Sequence, residues 1–362
     1  MEKITRRASI QRTVAGALAT TSVAAGKAVR TPASGKPGIR FALMNGDKPN
    51  RVTKIGKQIG VNTAIAGVGG ALSKVPRAEY ESVLRRIKTE FAEAGVTVEG
   101  VESHPVPAEK IKLGTAGRDE EIENYIAAIQ AMGRVGIPVL CYNFMAGLGW
   151  YRTRVDARGR GGALITVFDN AAAKAQGPTQ WGEVSEEKMW SNIEYFLKAV
   201  IPVAEKAGVK MALHPDDPPL SPLRGIGRIV TSAKNYRRIM DIVPSPANGI
   251  TYCQANFVAM GEDVESLAKE WCAQKKIFFV HFRDIRGNRE RFEETFHDEG
   301  QTDMARMLEV YHNAGFDGPM RPDHAPTLEG EANDRPGYAI EGKIFALGYM
   351  MGVMQGKKLP YA

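Results

Sequence analysis

The chain has 362 residues, of which 43% are hydrophobic and 25% charged, and it holds three cysteines. This composition is that of a globular protein and excludes a disordered chain, a collagen-like repeat and a disulfide-rich scaffold. The net charge of +7 lies entirely in residues 1–40, which hold eight Lys or Arg and one acid, so the neutral remainder excludes a basic surface for nucleic acid.

Residues 1–37 have the layout of an export leader. Arg6 and Arg7 precede an uncharged, moderately hydrophobic stretch at residues 13–26, with small residues for cleavage near Ala24. This is the arrangement of a twin-arginine signal, and it predicts export to the periplasm. A transit peptide and a disordered tail on a cytoplasmic protein are the alternatives. No later stretch approaches the roughly 18 apolar residues of a membrane-spanning helix, so we expect no stable membrane insertion.

From residue 38 onward, short β-rich runs alternate with longer runs of helical period, which predicts parallel strands joined by helices. The predicted strands are residues 39–44, 62–67, 97–102, 138–142, 209–214, 249–253, 277–281 and 319–323. The predicted helices are residues 78–94, 118–134, 187–207, 233–242, 261–274, 301–314 and 337–354.

This alternation predicts an α/β fold, a single-domain (β/α)8 TIM barrel over residues 38–362, with its active site at the carboxyl ends of the strands. A doubly wound open sheet is the alternative, but no Gly-rich phosphate-binding turn follows an early strand. The connection after the fourth strand, residues 146–183, is long and rich in Gly and Arg, so we expect a lid or binding loop there.

Four side chains that commonly bind metals end successive predicted strands: His214, Cys253, His281 and Asp323. Because the ends of parallel strands meet at one rim of a barrel, we expect these side chains to converge. Each residue alone has an ordinary structural explanation, such as a buried cysteine. Together, they form a mixed nitrogen, sulfur and oxygen set that suits Zn²⁺, Mn²⁺ or Fe²⁺. His324, next to Asp323, is suited to general acid or base catalysis.

Longer motifs resemble those of one enzyme family, and they occur in order over nearly all of the chain after residue 38. They are residues 111–114 (IKLG), 141–145 (CYNFM), 150–153 (WYRT), 214–219 (HPDDPP), 280–283 (VHFR), 317–324 (DGPMRPDH) and 337–338 (GY). These motifs resemble the mannonate dehydratase family. The resemblance implies a metal-dependent TIM barrel that converts D-mannonate to 2-keto-3-deoxy-D-gluconate with loss of water, in uronate catabolism.

The resemblance also implies roles for individual residues, with Mn²⁺ or Fe²⁺ as the expected ion. The implied metal ligands are His214, Cys253, His281 and Asp323, and the implied proton-transfer pair is His324 and Tyr338. The guanidinium groups of Arg152 and Arg283 match a planar carboxylate, so we expect them to bind that group of the substrate.

Two more residues are expected to contact the substrate. We expect Asn143 to bind a hydroxyl and Trp150 to close over the site. The expected partner is a small-molecule sugar acid. A homo-oligomer is possible, but the sequence does not determine the oligomeric state.

The sequence departs from the family around the predicted thiolate ligand. Gln254, Ala255 and Asn256 follow Cys253, where the family usually has Thr-Gly-Ser. Because Gln254 and Asn256 are bulkier, the exact substrate does not follow from the resemblance. A metal-dependent sugar epimerase or isomerase on the same barrel is one alternative, and a non-catalytic extracytoplasmic sugar-binding protein is another. A mere binding protein needs no proton-transfer pair, which argues against the second.

Overall fold

The computed structural model describes residues 38–362. The predicted leader at residues 1–37 lies outside the described residues and stays a prediction. The strands of residues 38–362 are, in chain order, β1 (Ile39–Asn45), β2 (Thr63–Ala66), β3 (Thr97–Glu102), β4 (Val139–Tyr142), β5 (Arg154–Arg158), β6 (Leu164–Asp169), β7 (Lys210–Leu213), β8 (Asn248–Cys253), β9 (Ile277–His281), β10 (Ile285–Asn288), β11 (Arg291–Glu294) and β12 (Gly318–Arg321).

The same region contains long helices around the strands and several short ones in the loops. They are α1 (Arg51–Ile59), α2 (Gly69–Leu72), α3 (Tyr80–Glu93), α4 (Glu109–Leu113), α5 (Arg118–Val135), α6 (Asn170–Ala175), α7 (Glu186–Ala207), α8 (Ala233–Ile242), α9 (Gln254–Met260), α10 (Val264–Ala273), α11 (Met304–Asn313) and α12 (Ile340–Gly356). Among these helices, none is both long and apolar enough to cross a membrane.

Eight strands form a closed parallel barrel in the order β1-β2-β3-β4-β7-β8-β9-β12, and β12 pairs with β1 to complete it. Each predicted strand corresponds to one of these eight, and each predicted helix is present, with ends that differ by up to three residues. The predicted (β/α)8 barrel is therefore confirmed. The additional helices α2, α4, α6 and α9 carry too few turns to give a clear apolar period in the sequence. The prediction also missed α1, although Val52, Ile55 and Ile59 follow a helical period there.

The alternation of side chains along each strand aims the strand-end residues at the barrel axis. Successive residues of a strand face opposite sides of the sheet. In β8, Tyr252 packs into the large core between strands and helices, so Cys253 faces the barrel interior. In β9, Phe279 belongs to the interior cluster, and His281 follows it by two residues on the same side. The same period therefore gathers the predicted metal ligands at one end of the barrel.

The long connection after β4 is more ordered than the sequence predicts. It contains β5 and β6, which join β10 and β11 from the loop after β9 in a four-stranded antiparallel sheet of order β10-β11-β6-β5. Sequence analysis missed β5 because this edge strand exposes every residue except Ala157, so it has no apolar alternation. Its neighbour β6 in turn pairs with β11, which lies far away in the chain. We refer to these four strands as the accessory sheet.

Candidate active site

The structure brings His214, Cys253, His281 and Asp323 together at the carboxyl ends of β7, β8, β9 and β12. One ligand atom from each residue lies within 4.8 Å of those of the other three. His281 Nδ1 is 3.5 Å from Asp323 Oδ2, and Cys253 Sγ is 3.8 Å from the same oxygen. The rings of His214 and His281 have centroids 4.9 Å apart. The predicted convergence is therefore present in the fold.

The two imidazoles are oriented for ligand binding. Nδ1 of His214 lies 2.7 Å from the carbonyl oxygen of Pro215, which can only accept a hydrogen bond, so Nδ1 carries the proton and Nε2 keeps its lone pair. Within the described residues, neither ring nitrogen of the buried His281 makes a hydrogen bond, although Nδ1 lies 3.5 Å from Asp323 Oδ2 and Nε2 lies 3.5 Å from Glu102 Oε2. Unpaired buried nitrogens are rare and costly in proteins, so one of the two is available to bind a cation. The donor set thus fits a metal ion.

Cys253 is the cysteine whose surroundings favour a thiolate. Burial alone would raise its pKa, but the positive charge of Arg283 and the neighbouring His214 outweigh burial and lower the pKa to about 6. For Cys141, burial dominates and raises the pKa. Because the thiolate is the form that binds metals, Cys253 suits a ligand role and Cys141 does not.

Two neighbouring clusters of similar residues are less suited to a metal ion. The carboxylate of Glu102, near Cys141 and His281, is already paired with Arg321. Asp217 and Glu294, near His324, share the guanidinium groups of two buried arginines. Asp323 is paired with arginines as well, so the set built around Cys253 differs from these clusters by its second imidazole and by a cysteine whose pKa is lowered.

The predicted proton-transfer residues contact each other. Nε2 of His324 lies 3.1 Å from the hydroxyl oxygen of Tyr338, and Nδ1 lies 2.8 Å from Glu294 Oε1. Burial raises the pKa of Tyr338 above its ordinary value, so the phenol keeps its proton at neutral pH. Gly337 has φ of +80°, and a Cβ there would lie 3.1 Å from His324 Cβ. Only glycine suits this turn, which holds Tyr338 against the imidazole.

A polar cavity of about 180 Å³ opens at this end of the barrel. Its lining includes the metal-binding candidates His214, His281 and Asp323 together with His324 and Tyr338. The predicted substrate-binding residues Asn143 and Trp150 also line it. The indole of Trp150 packs edge-on against His324 at 5.1 Å, and its buried N–H has no partner within the described part of the chain.

The two arginines predicted to bind the substrate carboxylate lie beneath the cavity instead of lining it. Arg283 donates from Nε to Asp323, from Nη1 to Glu294 and from Nη2 to Asp217, at 2.7 to 2.8 Å. Arg152 donates to Asp217 and Glu294, each at 2.6 Å. Both guanidinium groups are buried and paired with carboxylates, although Nε of Arg152 has no hydrogen-bond partner among the described residues.

A third arginine, Arg321, lines the cavity. Its Nε and Nη2 donate to Glu102 at 2.8 and 2.5 Å, while its buried Nη1 has no hydrogen-bond partner among residues 38–362. Burial would raise the pKa of Glu102, but Arg321 and then His281 lower it to about 2, so this carboxylate stays charged. The sequence could have placed Glu102 in the site, since this residue ends the third predicted strand. It could not have placed Glu294 there, because Glu294 belongs to the accessory sheet, which was not predicted.

The comparisons with known proteins agree with this geometry. The family model for D-mannonate dehydratase (UxuA) matches residues 45–181 and 178–359, which together span most of the chain. The chain belongs to the mannonate dehydratase family. Mannonate dehydratase 2 of Halalkalibacterium halodurans is 33% identical over 325 residues, which cover 82% of this chain and 91% of that protein.

Solved structures show the same relationship. The crystal structure of mannonate dehydratase from Streptococcus suis serotype 2 superposes with a TM-score of 0.81 at 28% identity, and the match covers 90% of this chain and 97% of that one. A D-psicose 3-epimerase from Clostridium cellulolyticum H10 has a TM-score of 0.55 at 10% identity, covering 89% of this chain and 100% of that one. The second likeness shows a shared fold alone.

Proposed function

We propose that the chain is a lyase that converts D-mannonate to 2-keto-3-deoxy-D-gluconate and water. The observation that carries this proposal is the contact between His324 and Tyr338 in a cavity that is also lined by His214, His281 and Asp323, three of the four side chains that converge at the barrel end. The reaction removes a proton from carbon 2 and a hydroxyl from carbon 3. It therefore needs groups that move protons and positive charge that faces the carboxylate. Membership of the mannonate dehydratase family supports the same reaction.

We also propose that catalysis depends on a divalent metal, Mn²⁺ or Fe²⁺, held by His214, Cys253, His281 and Asp323. Support comes from the mixed donor set, the unpaired nitrogens of His281 and the lowered pKa of Cys253. A bound ion would supply positive charge that stabilises the negative charge developing on the substrate oxygens.

In this proposal His324 and Tyr338 move the protons. Their hydrogen bond lets the pair exchange a proton between Nε2 and the phenol oxygen. One member takes the proton from carbon 2, and the other protonates the hydroxyl that leaves carbon 3 as water. The enol that results takes up a solvent proton at carbon 3 and releases the proton of its carbon 2 hydroxyl to solvent, which gives the ketone. The proton taken from carbon 2 can pass through the hydrogen bond between His324 and Tyr338 to the group that protonated the leaving hydroxyl, so the protein returns to its starting state.

Arg321, Asn143 and Trp150 bind and orient the substrate in this proposal. The unpaired Nη1 of Arg321 offers a charge-assisted hydrogen bond to the carboxylate, in place of Arg152 and Arg283. Asn143 and the free indole N–H of Trp150 face the cavity and suit sugar hydroxyls. Trp150 also covers one side of His324, which limits access of water to the imidazole.

The direct test incubates purified, Mn²⁺-loaded protein with D-mannonate and assays for a 2-keto-3-deoxy acid. We expect product in the loaded sample and little product after treatment with a chelator. Turnover of another sugar without turnover of D-mannonate would instead support an epimerase or isomerase. Binding of sugar acids without any turnover would support the non-catalytic alternative.

Export by a twin-arginine signal is a separate proposal that depends only on the sequence of residues 1–37. Arg6-Arg7 and the following uncharged stretch support it. A mature N-terminus near Ala24 in a periplasmic fraction would agree with export. An intact N-terminus in the cytoplasmic fraction of cells that express the whole chain would contradict it.

A further inference from the structure

The accessory sheet places a buried carboxylate behind the proton-transfer pair. Glu294 is the last residue of β11, its side chain is 5% exposed, and its Oε1 lies 2.8 Å from Nδ1 of His324. We propose that Glu294 is a positioning residue that holds His324 in the tautomer with its proton on Nδ1 and its lone pair on Nε2. This inference rests on the proposed function, because it concerns the imidazole that would move the substrate's protons.

The hydrogen bonds around Glu294 determine which atom carries the proton. Oε1 accepts from Arg152 Nη2 at 2.6 Å and from Arg283 Nη1 at 2.8 Å, and Oε2 accepts from the hydroxyl of Thr166 at 2.5 Å. Guanidinium groups can only donate, so the carboxylate acts as an acceptor on every side. The remaining contact, to His324, therefore requires an N–H at Nδ1.

This tautomer has a chemical consequence at the opposite side of the ring. A neutral imidazole with a proton on Nδ1 has its lone pair on Nε2. Nε2 faces the hydroxyl of Tyr338 at 3.1 Å, so it can accept that proton. The other tautomer would place two hydrogens between Nε2 and the phenol unless Tyr338 rotated. Glu294 thus sets the direction of the hydrogen bond that links the proposed acid and base.

Glu294 is itself held rigidly by elements outside the barrel. Thr166 lies on β6, Arg152 follows β4, and Arg283 follows β9, so three segments fix the carboxylate. This explains why the chain inserts an ordered sheet, rather than a flexible loop, between its barrel strands. Preorganised partners of this kind keep a catalytic imidazole in one orientation.

Asp217 provides a matched comparison, because it belongs to the same buried charge network. It accepts from Arg152 at 2.6 Å and from Arg283 at 2.7 Å, as Glu294 does. Among the described residues, however, Glu294 is the acceptor that faces Nδ1 of His324. Asp217→Asn therefore removes one negative charge from the network without removing the contact that is proposed to set the tautomer.

The first measurement reads the tautomer directly and needs no turnover. Protein labelled with ¹⁵N-histidine and loaded with diamagnetic Zn²⁺ is compared by NMR as wild type, Glu294→Gln and Asp217→Asn, and His324→Asn identifies the signal. We expect a protonated Nδ1 on His324 in the wild type and Asp217→Asn, and a mixture of tautomers in Glu294→Gln. An Nε2-protonated His324 in the wild type, or an unchanged signal in Glu294→Gln, would overturn the proposal.

The second measurement is kinetic. For Glu294→Gln we expect kcat to fall by about 100-fold, the lower end of what general acid–base catalysis contributes, while KM and metal content change little. Asp217, unlike Glu294, lines the cavity, so for Asp217→Asn we expect a change mainly in KM and a clearly smaller fall in kcat. Glu294→Asp keeps the charge in the network but withdraws the oxygen from His324, so it covers the case in which Glu294→Gln does not fold. Full kcat in Glu294→Asp would contradict the positioning role.

The two measurements separate this inference from the proposed function. A wild-type protein that is inactive on D-mannonate but has Nδ1 of His324 protonated would refute the proposed substrate and leave the structural role of Glu294 supported. Activity on D-mannonate together with equal losses of kcat in Glu294→Gln and Asp217→Asn would support the proposed substrate and refute the positioning role of Glu294. In that case Glu294 would be only a charge partner for the two arginines.

Discussion

Arg321 and Glu102 form a two-point ion pair inside the barrel, with Nε and Nη2 of the arginine donating to the two carboxylate oxygens at 2.8 and 2.5 Å. The pair fixes the plane of the guanidinium and leaves Nη1 without a partner. A charged donor that is buried, oriented and unpaired in a cavity is suited to an anionic ligand.

The first prediction concerns this arginine. Arg321→Lys keeps the positive charge but loses the fork geometry, so we expect KM for D-mannonate to rise by about 10-fold or more, as loss of a charge-assisted hydrogen bond implies. Steady-state kinetics would measure it, with metal content checked in parallel. Arg228→Lys is the control, because Arg228 is equally buried but does not line the cavity. An unchanged KM in Arg321→Lys would remove Arg321 from the substrate site.

The second prediction concerns metal binding. His281→Ala removes the buried imidazole whose two nitrogens lack partners, and we expect it to abolish both bound metal and activity. Elemental analysis of the purified variant gives the metal content. His312→Ala, on helix α11, should retain both. Full activity in His281→Ala would refute the proposed metal site.

The third prediction separates proton transfer from binding. Tyr338→Phe retains the ring that packs against His324 but loses the hydroxyl, so we expect kcat to fall by about 100-fold or more with little change in metal content. Tyr195→Phe changes an exposed tyrosine and should leave kcat unaltered. Equal kcat in Tyr338→Phe and wild type would show that another group carries the proton.

The fourth prediction concerns pH and stability. Burial lowers the pKa of Lys343 to about 7, while its ammonium lies 4.5 Å from the centre of the Tyr338 ring. The lysine therefore keeps its proton up to a higher pH in the unfolded chain than in the folded chain. Burial of the charged amine lowers the free energy of unfolding most below pH 7, and this loss disappears as the pH rises toward the pKa of the lysine in the unfolded chain.

Lys343→Met should therefore raise the free energy of unfolding, by about 2–3 kcal/mol more at pH 6 than at pH 9. Denaturant titrations at the two pH values would measure the difference. The exposed Lys198→Met is the control and should show no such pH dependence. An equal effect of Lys343→Met at both pH values would mean that the buried amine does not titrate differently in the folded chain.

The barrel and the convergence of His214, Cys253, His281 and Asp323 could be predicted because both depend on local patterns. Strand and helix periods are visible over single segments, and a strand that ends in Cys253 or His281 aims that side chain inward by alternation alone. The chemistry of His324 beside Asp323 indicated a proton-transfer group, and the resemblance to the family added Tyr338 as its partner. These residues lie close together because Gly337 turns the chain back toward the imidazole.

The roles of the arginines could not be predicted, because residue type does not reveal what a side chain is paired with. Arg283 and Arg321 both follow or end barrel strands, yet the first is saturated by three carboxylates and the second keeps one free nitrogen. Glu294 was missed for a related reason. It reaches the site through pairing between distant segments, which no local period records.

The residues after Cys253, where the chain differs from the family, could be interpreted only from the fold. Tyr311 donates a hydrogen bond to Gln254 Oε1 at 3.1 Å, and Gln254 Nε2 contacts the sulfur of Met304 at 2.8 Å. The glutamine thus points into the helix layer, and neither it nor Asn256 lines the cavity. These larger side chains therefore do not form part of the surface that lines the cavity.

The reaction of Mn²⁺-loaded protein with D-mannonate in D₂O, followed by NMR, tests the central claim most directly. The account predicts 2-keto-3-deoxy-D-gluconate with one solvent deuteron at carbon 3, since the proton at carbon 2 and the hydroxyl at carbon 3 are both lost. An epimerase would instead yield a sugar acid that keeps its hydroxyl at carbon 3 and gains deuterium at carbon 2. That product, or no reaction with any metal, would contradict the account.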